Sequence, residues 1–299
     1  VIRFEALTKR FGGQSAVESL TLEVRRGEAV ALLGPNGSGK TTSLKAAAGL
    51  IRPTSGRVLV GDPAESAQSP EARRAVSYLP QKVSFPDVLT GREIVEFYRG
   101  LRGADAARVP EVLRLAALNG ASARAVGTYS GGMVQRLGLA VAVLPDAPVL
   151  LLDEPTAALD PDGLCAFYGL VDRRRREGHT LLFSSHHLGD VERLADRFAV
   201  LVGGRLTASF TLGELSERLS ARGVMRLRLD RRIPGLLEQV RAVAPTAVWA
   251  GEELIVPGPA RERPRVLDVV RASGAEIRGL AAEEGKLDAL YRELVGAVS

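Results

Sequence analysis

The segment "AVALLGPNGSGKTT" (29–42) constrains this chain more than any other stretch. A short, continuously apolar run such as "AVALL" reads as a buried parallel strand. The glycines that follow let the backbone turn until several N–H groups face one anion, and the helix opening at "KTTSLKAAAGL" adds its positive end. "GPNGSGKT" (34–41) fills every specified position of the P-loop pattern, in the strand–loop–helix context that pattern needs. Gly34, Pro35, Asn36, Gly37, Ser38, Gly39, Lys40, Thr41 and Thr42 are therefore the candidate phosphate-binding residues. Lys40 is a compact charge able to bridge two phosphates, where arginine's planar fork would not substitute easily. Only five of the forty basic residues are lysines, so lysine here is not a by-product of composition. Thr41 offers a hydroxyl to Mg²⁺.

A second element, "VLLLDEP" (149–155), is an apolar strand ending in two acids. Alone, such acids could merely cap the next helix. Downstream of a phosphate loop they read differently. Asp153 at the strand end can hold Mg²⁺ through water, and Glu154 can face the terminal phosphate as general base for an attacking water.

Around these elements the chain alternates between patterns. Residues 1–30 alternate apolar and polar, as antiparallel strands with turns do. From about 82 to 145 the period is helical. Strand–helix alternation then resumes with "VLLLD", a helix near 162–177, "TLLFSS", "LGDVERLA" and "FAVLVGGRL". The expected fold is an α/β core, a mixed sheet flanked by helices, with an antiparallel N-terminal part and a helical insertion. The core is expected over 1–215, with its helical subdomain at about 82–145. After 220 the order β-α-β-β-α-β suggests a small α+β unit over 220–299 that resembles a ferredoxin-like arrangement, with Trp249 filling its core.

Composition excludes several classes. Over 299 residues, no run approaches the roughly 18–20 apolar residues of a membrane span. The N-terminus "VIRFEALTKRF" has no signal-peptide h-region, so no export signal is expected. The formal charge of +5 is carried by scattered basic residues, aromatics are only 5%, and no nucleic-acid-reading motif is present, so no nucleic-acid partner is expected. Arg173–Arg176 read as a solvated helix face. The single cysteine, Cys165, excludes an intramolecular disulfide and reads as a small buried hydrophobe. His179 reads as turn surface, and His186–His187, with no cysteine nearby, do not make a metal site.

Four further segments occur in a fixed order: "YLPQ" (78–81), "YSGGMVQR" (129–136), "AALDP" (157–161) and "SSHHL" (184–188). Together with the two phosphate-related elements they resemble the Q-loop, signature, D-loop and H-loop of an ABC ATPase, over about residues 1–210. The resemblance implies that Phe11 stacks on adenine, although an ordinary core role is the alternative. It implies that Gln81 touches Mg²⁺ or the attacking water, and that His186 contacts the γ-phosphate and positions Glu154 and the water. His187 would be polar surface. Ser130, Gly131 and Gly132 would contact ATP held by another subunit, with Asp160 communicating between the sites. Tyr129 stands where the common signature has leucine, and Met133 where it has glutamine.

The resemblance therefore implies an ATP-hydrolysing homodimer or heterodimer of such modules, with ATP and Mg²⁺ at the interface. It implies a separate transmembrane permease as partner and a place on the cytoplasmic face of the membrane. The alternative is a soluble, non-transport ABC ATPase acting on ribosomes or DNA, but those usually fuse two modules or insert long coiled coils. "YSGGM" and "KLDALYREL" (286–294) are similar to ATPases of ABC-2 (CcmA) type, including drug exporters. "YLPQKVSFPDVLTGRE" (78–93) is similar to the NosF-like group that matures the copper sites of nitrous oxide reductase.

Overall fold

The computed structural model describes residues 1–186 and 188–283, together with Glu293 and Gly296; His187 and the rest of "KLDALYREL" lie outside the described residues. The chain divides into two compact units, Val1–Ser209 and Phe210–Ser299.

The first unit holds two sheets. In the smaller, strands β1 (Ile2–Phe11), β2 (Gln14–Val24), β4 (Ser55–Val60) and β5 (Glu65–Ser66) pair antiparallel in the order β2-β1-β4-β5. The apolar alternation along β1 slips one residue between Phe4 and Leu7, and there Ala6 takes a left-handed φ of 48°. The slip keeps Ile2, Phe4 and Leu7 all on the core side, as an inserted bulge residue does. Gly56 on β4 permits this, since a Cβ there would lie 2.2 Å from the Ala6 carbonyl oxygen.

The larger sheet has the order β10-β9-β3-β8-β7-β6. Its strands are β3 (Ala29–Leu33), β6 (Val76–Leu79), β7 (Val149–Asp153), β8 (Thr180–Ser184), β9 (Arg197–Val202) and β10 (Arg205–Thr211). The pairs β3–β8, β3–β9, β7–β8 and β6–β7 are parallel. Every residue of β3, β7 and β8 is buried, which is why their sequences are continuous apolar runs rather than alternating ones. Helix α1 (Lys40–Ala47) packs against β7 and β8 of this sheet and β2 and β4 of the other. Leu44, Leu32, Leu151, Leu182, Phe4 and Val58 join in the shared core.

Helix α2 (Pro70–Arg74) precedes β6. Between β6 and β7 come α3 (Gly91–Arg102), α4 (Arg108–Leu115) and α5 (Gly131–Val143), which pack on one another. The α3 start is a capping box: Thr90 Oγ1 accepts from Glu93 N–H at 3.2 Å, and Glu93 accepts in return from Thr90 N–H at 2.7 Å. Helix α6 (Pro161–Arg176) lies between β7 and β8, and α7 (Leu188–Leu194) between β8 and β9.

Three expectations for this unit fail. Arg174 is buried, not solvated: it pairs with Asp146, with Glu177 at 3.0 Å, and donates to the Val143 carbonyl at 3.1 Å. His179 is likewise mostly covered, its Nδ1 2.9 Å from the Ala147 carbonyl, with Nε2 facing Asp146 and Glu177 at 3.7 and 3.9 Å. His179, Asp146 and Glu177 converge closely enough for a metal. Arg174 already occupies the two carboxylates, and the cluster is most simply a structural ion-pair network. Cys165, on α6, is exposed, because α6 buries Phe167, Leu170 and Val171 and turns Cys165 away from that face.

In the second unit, α8 (Leu212–Ala221) precedes β11 (Val224–Leu229), α9 (Leu236–Arg241), β12 (Val248–Ala250), β13 (Glu253–Pro257), α10 (Arg263–Ala272) and β14 (Ile277–Glu283). The strands form an antiparallel sheet of order β12-β13-β11-β14. Alternate residues Met225, Leu227 and Leu229 meet Leu254 and Val256, with Leu236 and Val240 of α9 and Val266 and Val270 of α10 closing the core. Trp249 packs at the margin of this core rather than filling it, and the Arg232 guanidinium lies 4.8 Å from its ring centre.

Glu28 joins the start of β3 to β9 through a bidentate pair with Arg197, at 2.8 and 3.1 Å. Burial pushes the Glu28 pKa up, but the Arg197 hydrogen bonds and the Arg25 backbone outweigh it and leave it below the usual range. A depressed carboxylate pKa contributes stability above its unfolded value of about 4.3, and that contribution disappears as pH falls through the folded value. Glu28→Gln is expected to cost about 1 kcal/mol near neutral pH, with wild type and variant converging below about pH 4. Urea unfolding at several pH values measures this.

Candidate functional site

Because β3, β6, β7 and β8 run parallel, the loops that leave their C-terminal ends open at one edge of the sheet. That edge collects the P-loop after β3, Gln81 after β6, Asp153 and Glu154 at the end of β7, and Ser184 to His186 at the end of β8. A cleft of about 540 Å³ opens there, lined among others by Phe11, Ser38, Lys40, Thr41, Gln81 and Glu154. Asn36, Gly37, Gly39 and Thr42 also line it.

The loop is built to keep its backbone close. A Cβ at Gly34 would lie 2.2 Å from the Leu201 carbonyl oxygen, and one at Gly39 would lie 2.6 Å from that of Ala16. Gly39 also caps α1 in a left-handed conformation, φ 99°, that side-chain-bearing residues rarely adopt. Lys40 is buried, and its ammonium donates to the Gly34 carbonyl at 2.7 Å and the Pro35 carbonyl at 3.2 Å. Burial pulls its pKa below the ordinary lysine value, against the raising charges of Glu154 and Asp153. The Ser38 hydroxyl is buried against Gly34 with no hydrogen-bond partner among the described residues, so the loop holds unused polar capacity.

Asp153 is fully buried. Its Oδ1 accepts from Ser184 Oγ at 2.7 Å and Thr41 Oγ1 at 3.1 Å, while Tyr78 OH reaches Oδ2 at 3.5 Å. Burial first, then the Asp153 charge, pushes the Tyr78 phenol well up, which keeps it a donor. The Thr41 hydroxyl and the Asp153 carboxylate thus form a pair of hard oxygen donors, the set that a Mg²⁺ ion takes.

Glu154 follows in a left-handed conformation, φ 50°, its N–H held by Ser184 Oγ at 2.9 Å. A glutamate with positive φ is strained, and here the strain redirects its carboxylate from the strand into the cleft. His186 Nδ1 lies 2.5 Å from Glu154 Oε2. The imidazole and the carboxylate, 32 residues apart, therefore act as one hydrogen-bonded unit.

Phe11 is 52% exposed and lines the cleft, so the core role open to it in the sequence does not hold. Ser130, Gly131, Gly132 and Asp160 are not among the residues lining this cleft. Ser130 caps α5, its Oγ accepting from Met133 N–H at 3.2 Å. Asp160 caps α6, accepting from Gly163 N–H at 2.8 Å, with the Arg136 guanidinium 3.8 Å away. Gly132 lies against the segment before Asp160, since a Cβ there would be 2.9 Å from the Ala158 carbonyl.

Sequence reasoning missed the support behind these groups. Asp190 accepts from Thr156 Oγ1 and Tyr168 OH, both at 2.6 Å, and from Ser185 Oγ at 3.1 Å. The network fixes the chain just after Glu154 to the chain just before His186. Burial, followed by the bond to Asp190, pushes the Tyr168 phenol up to about 12. No local pattern announces this contact, because its members come from four elements.

The ABC transporter family matches residues 17–157. The daunorubicin resistance ATP-binding protein DrrA3 of Streptomyces coeruleorubidus is 32% identical over 99% of this chain and 96% of its own length. The uncharacterized ABC transporter ATP-binding protein YxlF of Bacillus subtilis is 36% identical over 80% of each chain. A dimeric ATP-binding cassette in a post-hydrolysis state, bound to ADP and Pi, superposes with a TM-score of 0.65 at 26% identity, over 71% of this chain and 99% of that one.

Asp190→Ala strands three hydroxyls around the network and is expected to cost about 3 kcal/mol of unfolding stability. Turnover should fall more than nucleotide affinity, because the Glu154–His186 geometry loosens while the P-loop does not. Urea titration and steady-state kinetics on the same preparation measure the two effects.

Proposed function

Because this chain belongs to the ABC transporter family of ATP-binding proteins, we infer that it hydrolyses ATP as one half of a dimer and powers a separate membrane permease. One observation carries this reading. The cleft that holds Lys40, Thr41, Gln81 and Glu154 contains none of the signature residues. A phosphate-facing Ser-Gly-Gly that does not serve its own chain's cleft is available to a partner's.

In this reading the γ-phosphate lies against the P-loop N–H groups and Lys40, and Phe11 stacks on the adenine. Glu154 takes the proton of the attacking water as the new P–O bond forms and the bond to ADP breaks. His186 holds Glu154 and the water in line, Gln81 contacts the water or the metal, and ADP and phosphate leave. Thr41, Gln81 and, through water, Asp153 would hold the Mg²⁺ that accompanies ATP and supplies charge neutralisation at the phosphates. Ser130, Gly131 and Gly132 close on the partner's ATP, and Asp160 lies at the joint between the two sites.

The permease is a separate chain in this reading: among the described residues, no helix is long and apolar enough to cross a membrane. On and just before α3, Phe97 is 64%, Leu101 69% and Val88 84% exposed. Phe97 and Leu101 stand one turn apart on one helix face. Such a surface fits a cytoplasmic helix of the permease, which would place the subunit on the cytoplasmic face of the membrane. The full-length likeness to a drug-resistance ATP-binding protein supports ABC-2-type export over the ribosome- or DNA-directed alternative. The NosF-like likeness rests on residues 78–93 alone. The second unit's strand order supports a ferredoxin-like accessory domain; in this reading that domain stabilises or regulates the dimer.

Glu154→Gln is expected to lower ATP turnover at least 100-fold and to accumulate an ATP-bound dimer on sizing; normal turnover would remove Glu154 as the base. Ser130→Arg in the otherwise unaltered chain should bind ATP normally and fail to hydrolyse it, and full activity there would dispose of the shared site. Phe97→Glu with Leu101→Glu is expected to abolish copurification with the permease from solubilised membranes.

A further inference from the structure

Tyr129 precedes the signature serine by one residue, and neither phosphate binding nor catalysis accounts for it. Its hydroxyl donates to the Ala121 carbonyl at 2.8 Å, which closes residues 121–129 into a loop. The same hydroxyl fills a notch at the first residue of α3. A Cβ on Gly91 would lie 2.3 Å from the Tyr129 hydroxyl oxygen and 3.3 Å from its Cζ. Gly91 is helical with an ordinary φ, so its backbone does not require glycine. In a helix, glycine is otherwise inferior to alanine. What requires it is the space taken by Tyr129.

The two segments are also joined along their backbones. Val126 N–H donates to Leu89 O at 2.8 Å, Gly127 N–H to Asp87 O at 2.9 Å, and Arg92 N–H to Ser122 O at 2.8 Å. Thr90 and Ala125 form a β-bridge between them. The loop that enters the signature is thus fastened to the loop that enters α3, with Tyr129 as the final strut before Ser130.

We propose that Tyr129 and Gly91 form a positioning pair that sets the signature against α3, so that the α3 face and the element closing on a partner's ATP are held as one body. This rests on the shared-site reading above. Tyr129 touches no reacting atom. Its effect is on how accurately Ser130 and the α5 N-terminus meet a partner, and hence on dimer closure rather than on nucleotide capture. The commoner leucine at this position has no hydroxyl to make the Ala121 bond.

The test uses the full chain carrying Glu154→Gln, with ATP-driven dimerisation followed by light scattering and ADP affinity measured on the monomer. Tyr129→Phe keeps the ring and loses the hydroxyl; it is expected to raise the ATP concentration for half-dimerisation by up to about fivefold, the ceiling set by one ordinary hydrogen bond. ADP affinity should stay within about twofold, since no P-loop contact changes. Gly91→Ala, which drives a methyl into the hydroxyl, should impair dimerisation more. Adding Tyr129→Phe to Gly91→Ala should recover part of that loss, the non-additive signature of a contacting pair. An unchanged midpoint in Tyr129→Phe, or an ADP affinity that falls in step with dimerisation, overturns the positioning role. If the Glu154→Gln parent stays monomeric at saturating ATP, the shared-site reading falls, and this proposal with it.

Discussion

A buried carboxylate organises the first unit. Asp153 has no exposed surface, and an ionised group in that position is costly unless charges and hydrogen bonds compensate it. The compensation comes from four directions: Ser184 on β8, Thr41 on α1, Tyr78 on β6, and the positive charge of Lys40 at the start of α1. These partners come from three different elements, β6, β8 and α1, so the parallel sheet and the P-loop helix must be in register before Asp153 can be buried at all. The stability of the fold and the geometry of the cleft are for this reason the same problem. A change that loosens one of the three hydroxyls alters both.

Functional groups one shell out obey the same logic with less burial. Glu154 leaves the strand through a left-handed residue, and Ser184, the same side chain that serves Asp153, holds its N–H. One serine thereby orients two successive acids toward different tasks. Behind them, Asp190 gathers three hydroxyls and ties the chain after Glu154 to the chain before His186. The 2.5 Å contact between His186 and Glu154 follows from this two-sided support.

What the sequence made legible and what it did not divide along a physical line. Local patterns announced β3, the P-loop, β7 with its two acids, the helical insertion and the β-α-β-β-α-β order of the second unit, because burial and backbone conformation leave marks on adjacent residues. Contacts between distant elements leave no such mark. Arg174 sits in a run of four arginines that reads as solvated, yet Asp146, from the loop before β7, draws it inside. Cys165 follows the helix period and faces out, although its immediate neighbours are apolar. Asp190 and Gly91 looked ordinary in the sequence for the same reason: apart from Ser185, the residues that explain them are 22 to 38 positions away.

On the shared-site reading proposed above, the separation between the cleft and the signature leaves one chain chemically incomplete. Lys40, Asp153 and Glu154 assemble a complete ground for nucleotide and water on one side. Among the described residues lining that cleft, none comes from α5, whose N-terminal N–H groups lie elsewhere. On that reading an isolated chain captures ATP without being committed to hydrolysing it, and commitment waits for a partner's α5, whose position depends on the loops fastened to α3. A permease contact on the exposed face of α3 would then act on turnover by controlling how well two half-sites meet, with no need to alter the chemistry of either.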